Sequence, residues 1–399
     1  MIRILEQDNN TAIDMIGCKY NIKIDKRGAN QKLWIEGESG ELSDSYLIKF
    51  STRKEGELSD FNLYTEVVCS DICEELNLPH VTYNLCQFVS ADGEIKNGVI
   101  CGNYKTKTRH VEINGKTLHT NYITTYEDNH YGEEPDLPIN TVYTYIEELK
   151  GRFESRKMTM SEQTENRLTE ELLTLALFDF CTCQIDRHWG NVGWIHNNIF
   201  EDDRLTIKLL PIYDNECCFL LDEQTKEKLA ELVSDIRNPR KVQRAIDIVN
   251  KKKYFSPYLG IKTPLVKIKD DQRGFLSPLP NGPNGLSNAE VAAKELAEEI
   301  LKRPNLKGVY DNICKLNMQK LLQRADYISP EYEEIKDVYE FVWNTRVKLL
   351  KDSMEKAKNS KKGEEENEAS LSSLSRMCAW FFDRTRRGVF MGSRSTRNK

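Results

Sequence analysis

The sequence predicts an α+β fold in two lobes, β-rich on the N-terminal side and mostly helical on the C-terminal side. Alternating runs at 19–36, 45–51 and 81–104 read as strands, because a period of two buries one face of a sheet. Leu172, Leu173, Leu175, Leu177, Phe178 and Phe180 instead form a heavily apolar helix, and helical patterning covers much of 222–358. These signals divide the chain into a β-rich lobe over 1–104, a helical lobe over 105–358 and a charged, flexible tail over 359–399.

In the first lobe, Lys19 to Ile24 alternates, Asp25 to Asn30 turns, and Gln31 to Glu36 alternates again. Gly28 would let the backbone approach a phosphate, with Lys32 or Arg27 meeting its charge; an ordinary hairpin uses the same glycine. The next strand, Ser45 to Ser51, carries Lys49 among apolar residues. A buried ammonium is unfavourable unless it is paired or its head reaches water. The helix that follows, Asn62 to Leu76, sets Val67, Val68, Ile72 and Leu76 on one face and ends before Pro79. Glu66 lies one position before that face, early in the helix, where the dipole favours a carboxylate. A strand lysine followed by a helix glutamate predicts a Lys49–Glu66 pair gripping the α- and β-phosphates of a nucleotide. Further strands run from Val81 to Val89 and from Val99 to Tyr104, around the turn Ala91-Asp92-Gly93. The backbone near Ile100 to Asn103 is placed to meet an adenine edge. Glu127 to Pro138 reads as an exposed acidic loop.

After the apolar helix comes Asp186-Arg187-His188-Trp189-Gly190-Asn191. An Asp and an Asn five positions apart is the spacing with which a phosphotransferase loop orients a hydroxyl and holds magnesium. Val192 to Ile195 starts a strand, Asn197-Asn198 can turn it, and Leu205 to Leu210 returns before Asp214. Helix, polar loop, hairpin and acid, in that order, point to an ATP-dependent phosphotransferase. Asp186 would accept the nucleophile's proton, and Asn191 and Asp214 would hold Mg2+.

Composition bounds the alternatives. The chain has 399 residues, 39% hydrophobic and 30% charged, with a net charge of −6. Nothing in that balance suggests a protein that coats nucleic acid. No run of about 18 apolar residues exists, so no transmembrane helix is expected, and no secretion signal is evident. The 11 cysteines are irregularly spaced, which predicts reduced thiols and a cytoplasmic protein. Cys181, Cys183, Cys217 and Cys218 flank the loop, but Cys-x-Cys and Cys-Cys are not zinc spacings, so buried small hydrophobes are expected there. Helices are expected over Asp222 to Asn250, Asn288 to Lys302, Leu306 to Arg324 and Pro330 to Lys358. Beyond them lie the charge run Lys361 to Glu366 and an aromatic cluster, Trp380-Phe381-Phe382, followed by arginines.

These motifs together resemble the HipA-like kinases, and most of all the short branch with the CtkA-type kinases. The resemblance rests on Gly28-Ala29-Asn30-Gln31-Lys32-Leu33-Trp34-Ile35, Tyr46-Leu47-Ile48-Lys49-Phe50, Glu66 with Leu76-Asn77-Leu78-Pro79, the 186–191 loop, and Pro211-Ile212-Tyr213-Asp214-Asn215. It implies a bilobed fold like that of protein and phosphoinositide kinases, and Ser/Thr phosphorylation with ATP and Mg2+. It implies Asp186 as catalytic base, Asn191 and Asp214 on the metal, Lys49 on phosphate and Glu66 orienting Lys49. His188 either touches the γ-phosphate or braces the loop. The implied partners are a protein substrate and an antitoxin or other regulatory protein. Three departures bear on this. Asp25 to Lys32 contains no Ser or Thr, so an autophosphorylated Gly-turn switch is not expected. Glu216-Cys217-Cys218 stands where many relatives have Gly-Ser after the metal Asp. The extra N-terminal subdomain of the full-length toxins is not expected here.

Two other functions fit parts of the pattern. A phosphoinositide-type lipid kinase uses a similar Asp-Arg-His loop, but no Lys/Arg cluster follows Asp214 to receive an anionic headgroup. A nucleotide-binding regulatory scaffold without turnover would not need the full catalytic set that is present.

Overall fold

The computed structural model describes every residue except 9, 26–31, 40–43, 51–60, 104–109, 115–140, 156, 185–186, 188–190, 198–206, 221–222, 236, 252–265, 268–276, 279–287, 325–329 and 390–399. It is a mixed α+β chain, with a β-barrel in the N-terminal part and helices dominating the rest.

The barrel contains β1 (Ile2–Asp8), β2 (Thr11–Asp14), β3 (Lys19–Asp25), β4 (Lys32–Gly37), β5 (Ser45–Phe50), β6 (Tyr83–Val89) and β7 (Ile95–Gly102). They close in the order β1-β2-β3-β4-β5-β7-β6, with β1 parallel to β6. Ile4, Ala12, Leu33, Ile35, Ile48, Phe50, Cys86, Phe88 and Ile100 fill the interior. The alternation that buries Ile48 and Phe50 turns Leu47 and Lys49 to the outer face. Strand β7 lies close against β5 because residue 98 is glycine: a Cβ there would sit 2.7 Å from the carbonyl oxygen of Lys49. The first two strands were not expected from the sequence. Within them only Ile4 and Ala12 are buried, too few to mark a period of two.

Helix α1 (Phe61–Glu75) covers the outer face of β6 and β7 with Leu63, Val67, Val68 and Ile72. It stops where Asn77 takes φ +55 and the Leu78 N–H returns to the Cys73 carbonyl at 2.8 Å, with Pro79 barring continuation. Helices α2 (Val142–Ser155) and α3 (Glu162–Thr182) follow. Ser161 caps α3 at Thr164 N–H, and Cys183, at φ +52, ends it. The hairpin β9 (Gly193–Asn197) and β10 (Ile207–Leu209) is extended by β8 (His110–Asn114), a strand the sequence did not suggest.

The remaining helices are α4 (Glu223–Val233), α5 (Pro239–Lys251), α6 (Asn288–Lys302), α7 (Pro304–Lys315), α8 (Met318–Leu322) and α9 (Pro330–Val389); a short pair, β11 (Val266–Lys267) and β12 (Ser277–Pro278), lies between α5 and α6. Two expected helices are each divided. Asn238 accepts from Arg240 N–H and opens α5, and Asn317 accepts from Lys320 N–H and opens α8. Such side chains favour caps over helix interiors. Helix α9 passes the Lys358 at which the sequence reading ends it. Its buried stripe, Tyr332 to Met354, ends near there, but Lys361, Lys362 and Glu364 to Glu366 are good helix formers that extend a helix already nucleated. The helix therefore takes in the charge run that the sequence reading left flexible.

Candidate active site

The site is built around Lys49. Its Nζ donates to Glu66 Oε1 and to Asp214 Oδ1, each at 2.6 Å, with side-chain exposures of 5%, 1% and 21%. The Tyr83 ring lies beneath the same ammonium, 5.3 Å from its centroid. Burial opposes the charge on Lys49, but the Glu66 carboxylate, Tyr83 and the Asp214 carboxylate outweigh it and hold the pKa well above the ordinary lysine value. Lys32 stands directly across from Lys49 in the β4–β5 register, so both lysines project from one face of the sheet.

The acidic side of the site comes from α1 and from the chain after β10. Leu210 N–H bonds to the Gly193 carbonyl. The Ile212 N–H bonds to the Pro79 carbonyl and Val81 N–H to that of Ile212, both at 2.9 Å. The exit of α1 and the approach to Asp214 are therefore one ladder. Asp214 then takes φ +58, a left-handed conformation that aspartate tolerates, and the chain reverses. Asn215 N–H donates to Glu66 Oε2 at 2.9 Å, so the Glu66 carboxylate spans Lys49 on one oxygen and the turn on the other. Oxygens of Glu66, Asp214 and Glu216 all lie within 4.8 Å of one another. Burial works to raise the pKa of Asp214, but Lys49 beside it brings it down to about 2. Burial and the Asp214 charge push Glu216 up to about 7.

Arg187 ties the parts behind this face. Its guanidinium donates to both oxygens of Asp179 on α3, at 3.0 Å from Nε to Oδ2 and 3.0 Å from Nη2 to Oδ1. The other donations go to Asn215 Oδ1 at 2.7 Å, to the Tyr213 carbonyl at 2.6 Å and to the Asn191 carbonyl at 3.5 Å. Gln184 Nε2 donates to the Asp214 carbonyl at 3.2 Å.

Of the residues singled out by sequence, the structure brings Lys32, Lys49, Glu66 and Asp214 to one face. Asn191 is buried, and its carbonyl shares the Nη1 of Arg187 with the Tyr213 carbonyl. Gly28, Asp186 and His188 lie outside the described residues. Cys181, Cys183 and Cys218 are buried and in no disulfide, and burial raises the pKa of Cys181 and Cys183, as for small core residues. Sequence reasoning missed Asp179, Arg187 and the part Glu216 has in the carboxylate group. A signal existed for the first: a carboxylate inside Leu177-Phe178-Asp179-Phe180 cannot stay buried without a cation.

The donor set suits magnesium and a nucleotide triphosphate. Carboxylate oxygens are hard ligands of the kind Mg2+ takes, Asp214 is held ionised, and Lys32 and Lys49 beside it supply cations for phosphate oxygens.

No protein-family model matches the sequence, and no curated protein matches it significantly. Among solved structures, the Helicobacter pylori proinflammatory kinase CtkA is similar at a TM-score of 0.50 and 14% identity, over 86% of this chain and 96% of that one. HipA of Shewanella oneidensis MR-1, solved in a toxin–antitoxin complex with HipB and operator DNA, is similar at a TM-score of 0.40 and 9% identity, over 83% of this chain and 67% of that one. The likeness to CtkA is one of fold, and it supports the resemblance to HipA-like kinases read from the motifs. Among the described residues, no helix is long and apolar enough to cross a membrane.

Proposed function

We propose that this chain is a bilobed, ATP- and Mg2+-dependent Ser/Thr protein kinase of the HipA-like type, cytoplasmic, with its nucleotide between a lobe over 1–104 and a helical lobe over 105–358. The observation that carries this reading is the convergence of Lys49 on Glu66 and Asp214, residues from a strand, a helix and a loop 165 positions away. A buried ammonium shared between two carboxylates is of little use to the barrel alone, since an apolar side chain would fill the space as well. It suits a cation that must meet phosphate oxygens in a fixed place.

In this reading Lys49 binds the α- and β-phosphates, Glu66 keeps Lys49 aimed, and Lys32 and the Gly28 turn close over the phosphates. Asn191 and Asp214 hold the metal, and Glu216 offers a further carboxylate. The magnesium ion, when bound, neutralises charge on the β- and γ-phosphates. Asp186 accepts the proton of the attacking hydroxyl, and His188 meets the γ-phosphate or braces the loop. The substrate is a protein Ser or Thr, and a regulatory partner of the antitoxin kind fits the resemblance.

The test is incubation of the purified chain with γ-labelled ATP and a whole-cell extract, with phosphosites read by mass spectrometry and lipid vesicles as a parallel acceptor. Mg2+-dependent label on protein Ser or Thr, absent with Asp214→Asn, is the expected result. Label confined to lipid would favour the phosphoinositide-type alternative. No label above the Asp214→Asn control would leave only the scaffold.

A further inference from the structure

Arg187 has no part in the chemistry described so far, yet it touches the main chain of Asn191 and the residues on both sides of Asp214. Its side chain and that of Asp179 are both 0% exposed. One guanidinium holds α3 through Asp179, the main chain of Asn191, and the residues on either side of Asp214. We propose that Arg187, anchored by Asp179, is the positioning residue that sets Asn191 and Asp214 at the spacing a shared divalent cation requires. This rests on the kinase reading above.

Three observations support it. Asp214 has φ +58, a backbone region that aspartate tolerates but that its surroundings must select over the commoner ones. Those surroundings include Arg187 on Tyr213 and Asn215, and Gln184 on the Asp214 carbonyl, beside Glu66 on the Asn215 N–H and Lys49 on the Asp214 carboxylate. The second observation is geometric. The bonds leave the guanidinium in several directions of one plane, which a rigid fork with five donors can supply and a single ammonium cannot. The third is the choice of an ion pair at all. A buried pair is weak evidence for stability, because matched apolar side chains serve as well or better. A charge kept in that place instead suits a task in which direction matters.

The experiment compares wild type, Arg187→Lys and Asn215→Ala. Mn2+ binding in the presence of ATP is read by electron paramagnetic resonance, folding by circular dichroism and melting, and turnover as kcat and KM. Lysine keeps the charge but loses the fork. Arg187→Lys is expected to remain folded, to bind Mn2+–ATP at least tenfold more weakly, and to lose at least tenfold in kcat. A lowered melting temperature with Mn2+ affinity and kcat at wild-type values would assign Arg187 a structural role only and overturn the proposal. If Arg187→Lys does not fold, Asn215→Ala decides, because it removes one acceptor and keeps the Asp179 pair. A threefold or greater loss of Mn2+ affinity supports the proposal, and unchanged affinity overturns it. Failure of wild type itself to bind Mn2+–ATP would remove the kinase reading and this proposal with it. Wild-type binding alongside unaltered variants removes this proposal alone.

Discussion

Lys32 and Lys49 are direct cross-strand partners between β4 and β5, so two ammonium groups share one face of the barrel. Like charges in that relation repel, and directly opposed pairs destabilise a sheet. The arrangement holds because Glu66 and Asp214 neutralise Lys49, leaving Lys32 at the edge of the group and half-buried. Lys32→Ala should therefore leave stability unchanged or raise it by about 0.5 kcal/mol or less. The same change should raise KM for ATP several-fold with a smaller effect on kcat, if Lys32 meets phosphate in ground and transition states alike. Melting curves and steady-state kinetics check both halves. A fall in stability with unaltered KM would make Lys32 a plain strand residue.

Lys49→Met should behave differently, because it strands two carboxylates in a buried place. Removing one partner of such a group costs about 3 kcal/mol. The pH dependence has a definite sign. In wild type, the Asp214 carboxyl stands at about 2, below its ordinary 3.8, so it adds stability above the ordinary value and loses it as pH falls through the folded one. Without Lys49, burial raises the folded pKa of Asp214 and pushes that of Glu66, already raised by burial in wild type, further up. Their contribution is then present at low pH and lost as pH rises. The melting-temperature gap between wild type and Lys49→Met should widen from pH 4 to pH 8. A gap that is constant, or that narrows, would show that the ion pairs are energetically minor.

Lys49 and Glu66 were legible in the sequence because the argument for each is local: a charge in an apolar strand, and a carboxylate early in the next helix. The β9–β10 hairpin and the buried faces of α1 and α3 were legible from periodicity. Barrel closure was not, since β1 and β2 bury one residue each and the pairing of β1 with β6 joins distant parts of the chain. The gathering of Glu216 with Asp214 and Glu66 depends on the reversal at Asp214, and a positive φ at a non-glycine residue leaves no mark in composition. Arg187 was hidden by its neighbours: it sits inside the motif read for Asp186 and Asn191, and its partner Asp179 looked like one polar residue in a core helix. The length of α9 was missed because the core signal ends at Met354 while helix propensity does not.

Helix α9 also reaches the site from behind. The Tyr339 hydroxyl and Thr65 Oγ1 are 2.8 Å apart in a buried contact, and the Tyr339 ring packs on Phe219 at 4.8 Å between centroids. Thr65 precedes Glu66, and Phe219 follows the carboxylate turn. Tyr339→Phe keeps the ring contact and deletes the hydrogen bond to Thr65 Oγ1. A loss of about 1 kcal/mol is expected. With α1 less firmly held, KM for ATP should rise modestly while metal affinity at Asp214 stays near wild type. Denaturant unfolding and nucleotide titration separate the two effects.

The two acids assigned to catalysis should fail in different ways. Asp214→Asn keeps a side chain that accepts the left-handed backbone, and Lys49 retains Glu66, so the fold should survive. What it loses is the ionised carboxylate that sits at about 2 beside Lys49. Mg2+–ATP binding should weaken at least tenfold, and transfer should cease. Asp186→Asn removes a group assigned to the hydroxyl of the substrate and not to the nucleotide. Its Mg2+–ATP affinity should remain within about twofold of wild type, while kcat drops by a factor on the order of 10³. Calorimetric titration of Mg2+–ATP alongside a labelling assay gives both numbers for each variant. Equal loss of nucleotide binding in the two would mean that Asp186 holds metal. Retained transfer in either would remove the corresponding residue from the mechanism.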